Sequence, residues 1–457
     1  MLFNSFPFLF GFLPAALALH WLAERYRPQW RVAVLVLLSV VFYGYWDIRF
    51  VPLLIASIGV NWIVAQLFWA TGRDVLVWLA IFANLLVLAV FKYAGFVLGL
   101  AALIPGLGPP RVDIALPLGV SFFTFHHIMY LTDLRAGRAP RYGLVDYAFY
   151  IGFFPQVLAG PLVRWSEVMH QLHERPYKRA DAAERVARGL MLLVAGLAKK
   201  VFLGDPLAAY ANPVFQAAAE GKAVTTAEVW QGVLGFTFQI YFDFSGYTDM
   251  ALGLALLFGI VLPQNFDVPY RATSLQDFWR RWHMTLSRFL RDYLYVPLGG
   301  NRHGLAVQVA ALFATMALGG LWHGAGLTFV AWGVAHGIGL GIGLFWRRAG
   351  LRMPAAVGWA LTGAFVVLTW VLFRAPTFES ALALYKALAG FAAPGHGFKW
   401  RTIALAAVFA LLGPTSWAMV HRVPPHRWIA VAAAVVAALV LLKIGDEANY
   451  EFIYFQF

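Results

Sequence analysis

Val307-Gln-Val-Ala-Ala-Leu-Phe-Ala-Thr-Met-Ala-Leu-Gly319-Gly-Leu-Trp-His323-Gly324 is an apolar run that ends on a histidine set among glycines. Such a run belongs in lipid as a helix, because a helix answers its own backbone polar groups there and a lone strand cannot. Just upstream, Asp277-Phe-Trp-Arg-Arg-Trp-His283-Met-Thr-Leu-Ser287-Arg-Phe-Leu-Arg291-Asp292-Tyr-Leu-Tyr-Val-Pro-Leu-Gly-Gly300 gathers charge and imidazole in a segment too polar for a clean span. Ionisable groups at membrane depth are costly and mark functional sites. These two stretches are therefore the first place to look for chemistry.

The remainder of the chain has the composition of a membrane protein. Of 457 residues, 61% are hydrophobic and 12% charged, with a mean hydropathy of +0.69. Soluble domains carry about 25% charged residues. Apolar runs fall at 6–22, 30–45, 50–70, 75–104, 114–131, 147–162, 190–203, 229–262, 307–321, 328–346, 355–372, 403–420 and 429–442. They predict an all-α polytopic membrane protein with about 11–13 membrane-embedded helices, re-entrant segments included. The run at 6–22 lacks a basic leading region and reads as the first transmembrane helix, not as a cleaved signal. With no repeat and no linker, the chain is expected to be a single domain, 1–457, with its core motifs in 117–345 and an interfacial helix and loop at 373–402.

The formal charge of +13 sits in short loops between apolar runs. Loop anchoring at the cytoplasmic face accounts for it, which argues against a nucleic-acid partner. Arg25, Arg27 and Arg31 follow the first run, so the N-terminus is expected outside and that loop inside. The basic loop from Arg164 to Arg188 breaks strict alternation, and Pro155, Gly160 and Pro161 before it suggest a re-entrant segment; the loop itself reads as a solvated surface helix. Cysteine is absent, which excludes disulfides, thiolate metal sites and an acyl-cysteine intermediate.

On a continuous helix His283, Ser287 and Arg291 share one face, and Asp277 pairs with Arg281 four residues on. The bland alternative is a surface helix whose arginines snorkel to lipid phosphates. His323 ends its apolar run with glycines that let a backbone or ligand approach, and its reference pKa of about 6.5 suits a general base. In Tyr241-Phe-Asp243-Phe-Ser245-Gly-Tyr247-Thr-Asp249, Asp243 and Tyr247 lie one turn apart, and the arginines of 280–291 are the expected partners of Asp243. Lys92, Lys199 and Lys200 read as snorkelling residues, His336 as packing, and His126 and His127 as a polar patch near the same cavity. No nucleophile elbow, zinc-protease motif, P-loop or dinucleotide fingerprint occurs.

At these residues the sequence resembles the membrane-bound O-acyltransferases, in particular their bacterial alginate O-acetyltransferase-like branch. The matches are Tyr241 to Met250, Gln264-Asn-Phe, Phe278-Trp-Arg-Arg-Trp-His283, Leu290-Arg-Asp-Tyr-Leu-Tyr, Leu298-Gly-Gly-Asn-Arg-x-Gly304 and Gly319-Gly-Leu-Trp-His323-Gly, with Pro117-Leu-Gly-x-Ser-Phe and Phe154-Pro-Gln-x-x-Ala-Gly-Pro161 earlier. Beyond about Leu372 the match is weak. The resemblance implies a central tunnel in which an acyl group moves to a hydroxyl, with His323 as the catalytic histidine and His283 at the family's second position. It further implies a cytoplasmic thioester donor, commonly acetyl-CoA as a substrate, a bacterial inner membrane, and O-acetylation of an exopolysaccharide such as alginate or cellulose through a periplasmic partner transferase.

Arg280, Arg281, Trp282, Ser287 and Arg291, with Asp243, Tyr247 and Trp322, are then the candidate donor contacts; no tightly bound cofactor or metal is expected. His283 or an arginine would steady the oxyanion. Two readings compete: a polysaccharide or small-molecule transporter, and D-alanyl transfer from a carrier protein. Histidines gathered at two motifs, not strung along a path, favour an enzyme.

Overall fold

Apolar runs free of charge become long helices in the computed structural model, which describes residues 2–102, 104, 114–157, 160–395, 397–424 and 426–446. In chain order these are α1 (Leu13–Tyr26), α2 (Arg31–Trp46), α3 (Val51–Thr71), α4 (Asp74–Ala101), α5 (Val120–Arg135), α6 (Leu144–Gly152), α7 (Ala182–Ala198), α8 (Asp205–Ala219) and α9 (Thr226–Leu257). They continue with α10 (Leu275–Arg281), α11 (Met284–Leu290), α12 (Gly304–His323), α13 (Leu327–Arg348), α14 (Ala355–Arg374), α15 (Phe378–Leu388), α16 (Trp400–Leu412), α17 (Ser416–Arg422) and α18 (Arg427–Asp446). No strand occurs among the described residues. The protein is an all-α, multi-pass membrane protein.

Among the described residues eight helices are long and apolar enough to cross a membrane, and the pair α16 and α17, bent by 58°, could add a ninth. Fewer helices qualify than the thirteen apolar runs. The run at 114–131 becomes α5, whose Thr124, His126, His127 and Asp133 are buried in protein. The run at 147–162 stops as a helix at Gly152, and its residues 158 and 159 lie outside the described set. Most of the run at 229–262 lies in α9, which ends at Leu257 and in which Asp243, Ser245, Thr248 and Asp249 are likewise buried. Polar groups at such depth are tolerated where protein surrounds them.

Backbone contacts divide the chain into two compact units: Met1–Val194 with Tyr247–Pro263 and Pro424–Ala434, and Ala195–Gly246 with Gln264–Val423 and Val435–Phe457. In the first unit, α3 and α4 are pinned by reciprocal amide bonds between Asn61 and Asn84, at 2.6 and 3.2 Å. His127 is held on both ring nitrogens, by Ser57 at 2.9 Å and Tyr147 at 2.7 Å, and His126 accepts from the Val163 amide. Both are packing residues.

Arg31, expected as a loop anchor, is buried; it donates to the carbonyls of Leu172 and Glu174 and lies 3.8 Å from Glu24. The Arg164–Arg188 loop is thus fastened to α2 and is not one surface helix: short turns precede α7, and exposed pairs such as Arg179–Glu174 and Arg188–Glu184 cover it.

In the second unit α12 and α13 form an antiparallel pair in close contact. A Cβ on Gly333 would stand 2.2 Å from the Met316 carbonyl oxygen, and one on Gly320 would stand 2.3 Å from that of Phe329. Small residues at such crossings let dispersion do what the hydrophobic effect cannot do in lipid. The 373–402 stretch supplies the short helix α15, opened by a capping box at Thr377 and Ser380.

Gly333→Val is expected to force α12 from α13 and lower stability by about 1–3 kcal/mol, the usual range for overpacking. Gly341→Ala, where an added Cβ meets nothing within 4 Å, is expected to leave the thermal melt of detergent-solubilised protein unchanged or slightly raised. Equal melting points for the two variants would refute the packing argument.

Candidate active site

The histidine that ends α12 faces an aromatic wall. His323 is 6% exposed, with ring centroids 5.2 Å from Trp332, 5.1 Å from Phe373 and 4.9 Å from Trp322. Trp332 stacks on Trp370 at 5.9 Å, so α12, α13 and α14 all contribute.

His283 is built differently. Sequence spacing suggested one helix face for His283, Ser287 and Arg291, but the helix breaks between α10 and α11. His283 is the N-cap of α11, with φ 42° and ψ 54°. A side chain in the left-handed region costs about 1–2 kcal/mol and persists only where surroundings demand it. Here they do. The stretch from Asn265 to Asp267 answers the freed backbone groups: Met284 N–H donates to Asn265 O at 2.9 Å, and Asp267 N–H to Arg281 O at 2.9 Å.

The Asn265 side-chain oxygen accepts from Thr285 Oγ1 at 2.6 Å and from the Thr285 amide at 3.3 Å, and lies 3.3 Å from His283 Nδ1. The ring of His283 packs edge-on against Phe244 at 4.8 Å and lies 6.4 Å from Trp322. Full burial pushes this imidazole, which is outside the spanning helices, down to about 3, so it is neutral near pH 7. Trp322 thus stands beside both histidines, and the two motifs meet.

Other candidates separate into groups. Arg280, Ser287 and Arg291 line a cavity of about 430 Å³, together with Arg288, Arg347, Tyr295, Leu312 and Met316. No Asp or Glu is among its described lining residues, although Arg291 pairs with Asp292 at 2.7 Å. Arg281 turns away to Asp277 at 2.9 Å, the pairing its spacing predicts, and lies 3.7 Å from Asp267. Trp282 is buried between Phe278 at 5.6 Å and Trp370 at 5.1 Å. His336 is a packing residue: Nδ1 accepts from Trp279 at 3.2 Å and Nε2 lies 3.1 Å from Thr369 Oγ1.

Asp243 is not held by the arginines. Its partner is Lys200, at 2.7 Å, which also reaches Asp205 at 2.6 Å; the lysine is 1% exposed. A lysine read as snorkelling is therefore the centre of a buried ion cluster, carried on the π-turn Lys199–Gly204. Asp243 points to Lys200 and its neighbour Phe244 to His283, as positions about 100° apart on a helix must diverge. Tyr247 belongs to the first unit and packs on Phe3 at 5.7 Å. Sequence reasoning misread Lys200 and gave Asn265, quoted in Gln264-Asn-Phe, no role. A lysine at the second position of the turn after α7, five residues before an aspartate, was the available sign of the first.

The MBOAT, membrane-bound O-acyltransferase, family model matches residues 120–381, more than half of the chain. A "Peptidoglycan O-acetyltransferase" of Helicobacter pylori is 38% identical over 85% of this chain and 80% of its own length. A protein of Pseudomonas aeruginosa named "Probable alginate O-acetylase AlgI" is 40% identical over 86% of this chain and 75% of its own. A "Teichoic acid D-alanyltransferase" of Bacillus subtilis is 27% identical over 50% of this chain and 59% of its own.

Removing the cation from a buried cluster leaves two carboxylates facing each other. Lys200→Met is expected to cost about 3–5 kcal/mol of stability, the range for breaking a buried pair by loss of one partner. Combining it with Asp205→Asn and Asp243→Asn should restore part of the melt. A single-variant melt equal to wild type would contradict the cluster's role.

Proposed function

The chain belongs to the membrane-bound O-acyltransferase family, and on that premise we propose that it takes an acetyl group from acetyl-CoA at the cytoplasmic face of a bacterial inner membrane for O-acetylation of an exopolysaccharide such as alginate. A periplasmic partner transferase completes the delivery. The observation that carries this reading is the arginine-lined cavity on α10 and α11, the same two short helices that flank His283. Guanidinium groups bind phosphate in a bidentate manner, and a coenzyme A thioester brings several phosphates. Arg280, Ser287, Arg288, Arg291 and Arg347 are its contacts, and the leucine and methionine side chains of the inner wall suit the donor's apolar arm.

In the proposed reaction His323 accepts the proton of an incoming hydroxyl as its oxygen attacks the thioester carbonyl. The new C–O ester bond forms, the C–S bond breaks, and the proton returns from His323 to the leaving thiolate. The Trp322, Trp332 and Phe373 wall excludes water, which limits hydrolysis of the donor. Lower identity and coverage toward the D-alanyl transferase favour an acetyl donor over a carrier-bound D-alanyl group. The tight aromatic enclosure of His323 favours catalysis over transport.

Native membranes with the full chain and labelled acetyl-CoA test this. His323→Ala is expected to lower His323-dependent CoA release at least 100-fold with unchanged protein level, the loss typical of removing a general base. Arg280→Ala with Arg347→Ala is expected to raise the KM for acetyl-CoA at least tenfold while leaving kcat within about threefold, as for binding groups. Undiminished CoA release by His323→Ala membranes would sink the assignment.

A further inference from the structure

We propose that Asn265 is a positioning residue that locks His283 in the Nδ1–H tautomer, so that its Nε2 accepts a hydrogen bond from a neighbouring hydroxyl of the acceptor, beside the one whose proton His323 takes. This rests on the reading of His283 as part of the reaction centre and adds what holds it there. One donor at Asn265 has a fixed identity. The Thr285 backbone N–H lies 3.3 Å from one side-chain atom of Asn265. A backbone N–H only donates, so the atom facing it must be the amide oxygen, which settles the orientation of the amide.

The same oxygen lies 2.6 Å from Thr285 Oγ1 and 3.3 Å from His283 Nδ1. An oxygen cannot donate, so Nδ1 must carry the ring proton. Nε2 is then a bare lone pair. It is buried, and no hydrogen-bond partner for it occurs among the described residues.

A buried acceptor without a partner is destabilising. It is relieved only by a group that brings an N–H or O–H. A neutral Nε2 cannot donate to an oxyanion, so this histidine does not fill the oxyanion role the sequence allowed. It suits a second O–H of the acceptor, one that steadies the sugar while His323 takes the proton of the reacting hydroxyl. The arrangement is costly to maintain: Asn265 and His283 are both 0% exposed, and His283 keeps its left-handed backbone.

The side chains against His283 are Phe244, Trp322 and Asn265. Among the charged or titratable groups of those elements, the nearest in sequence to these contacts are Asp243, engaged by Lys200, Asp267, two residues from Asn265 and 3.7 Å from Arg281, and His323, beside Trp322. On its own segment are Arg280, Arg281 and Arg288. Burial is what holds the ring neutral.

The test uses the full chain in native membranes with acetyl-CoA, reading CoA release across pH. Asn265→Ala frees the ring to adopt the other tautomer and is expected to lower kcat about 10- to 100-fold, with the KM for acetyl-CoA within about twofold. Asn265→Asp keeps an oxygen for all three donors and adds a charge beside Nδ1. It should fold normally and move the acid limb of the rate profile to higher pH, because a neighbouring carboxylate favours the imidazolium. In a His283→Gln background, Asn265→Ala should cost no more than about twofold further, since both act through one ring.

An unchanged pH profile for Asn265→Asp, or a full additional loss in the His283→Gln background, would overturn the proposal and leave Asn265 a scaffold. If His283→Gln itself turns over normally, the reading of His283 as part of the reaction centre fails instead.

Discussion

A backbone buried away from water must have each N–H and C=O answered from within the protein. Most of this chain meets that demand by remaining helical. The exception is the break at Trp282–His283, where the helix stops, one residue takes a left-handed conformation, and the freed groups are answered by the stretch at 265–267. That break is what lets a histidine leave the side of a helix and stand at its end, facing Phe244 and Trp322. Without the stretch at 265–267 those backbone groups would be left unanswered inside the protein.

The second unit keeps its charged groups apart. A buried lysine between two carboxylates steadies α9 against the turn before α8, whereas the two imidazoles pack among aromatic rings. The arginines are gathered elsewhere, around a cavity. One short stretch, 280–291, holds both kinds of group because it is broken in the middle: α10 and the residues at the end of α11 bring guanidinium groups to the cavity wall, and the break between them carries the buried imidazole of His283.

The fold class was readable from composition and the long apolar runs, since those depend on local sequence alone. His323 was readable for the same reason, being an imidazole at the end of an apolar run. Arg280, Ser287 and Arg291 were found with it because charge in such a setting is scarce. Periodicity failed where tertiary contacts overrule it. A helical wheel places His283 with Ser287 and Arg291, but the break that separates them is paid for by Asn265, eighteen positions away. Asp243 was matched to arginines by sign alone, and Lys200 won by proximity, which no local pattern reports. The runs at 114–131 and 229–262 bury polar groups, and the helices α5 and α9 built from them are not among the eight long and apolar enough to cross a membrane.

Four guanidinium groups around about 430 Å³, with no carboxylate on the described walls, have a consequence for the protein at rest. Such a site is a selective electrode for anions: its field is felt over a Debye length, about 8 Å at physiological salt, and it draws in whatever negative solute is most abundant. If the proposed anionic donor binds there, it has to displace whatever small anion the cavity has already drawn in, and its occupancy would follow the ratio of the two concentrations and not the donor's alone.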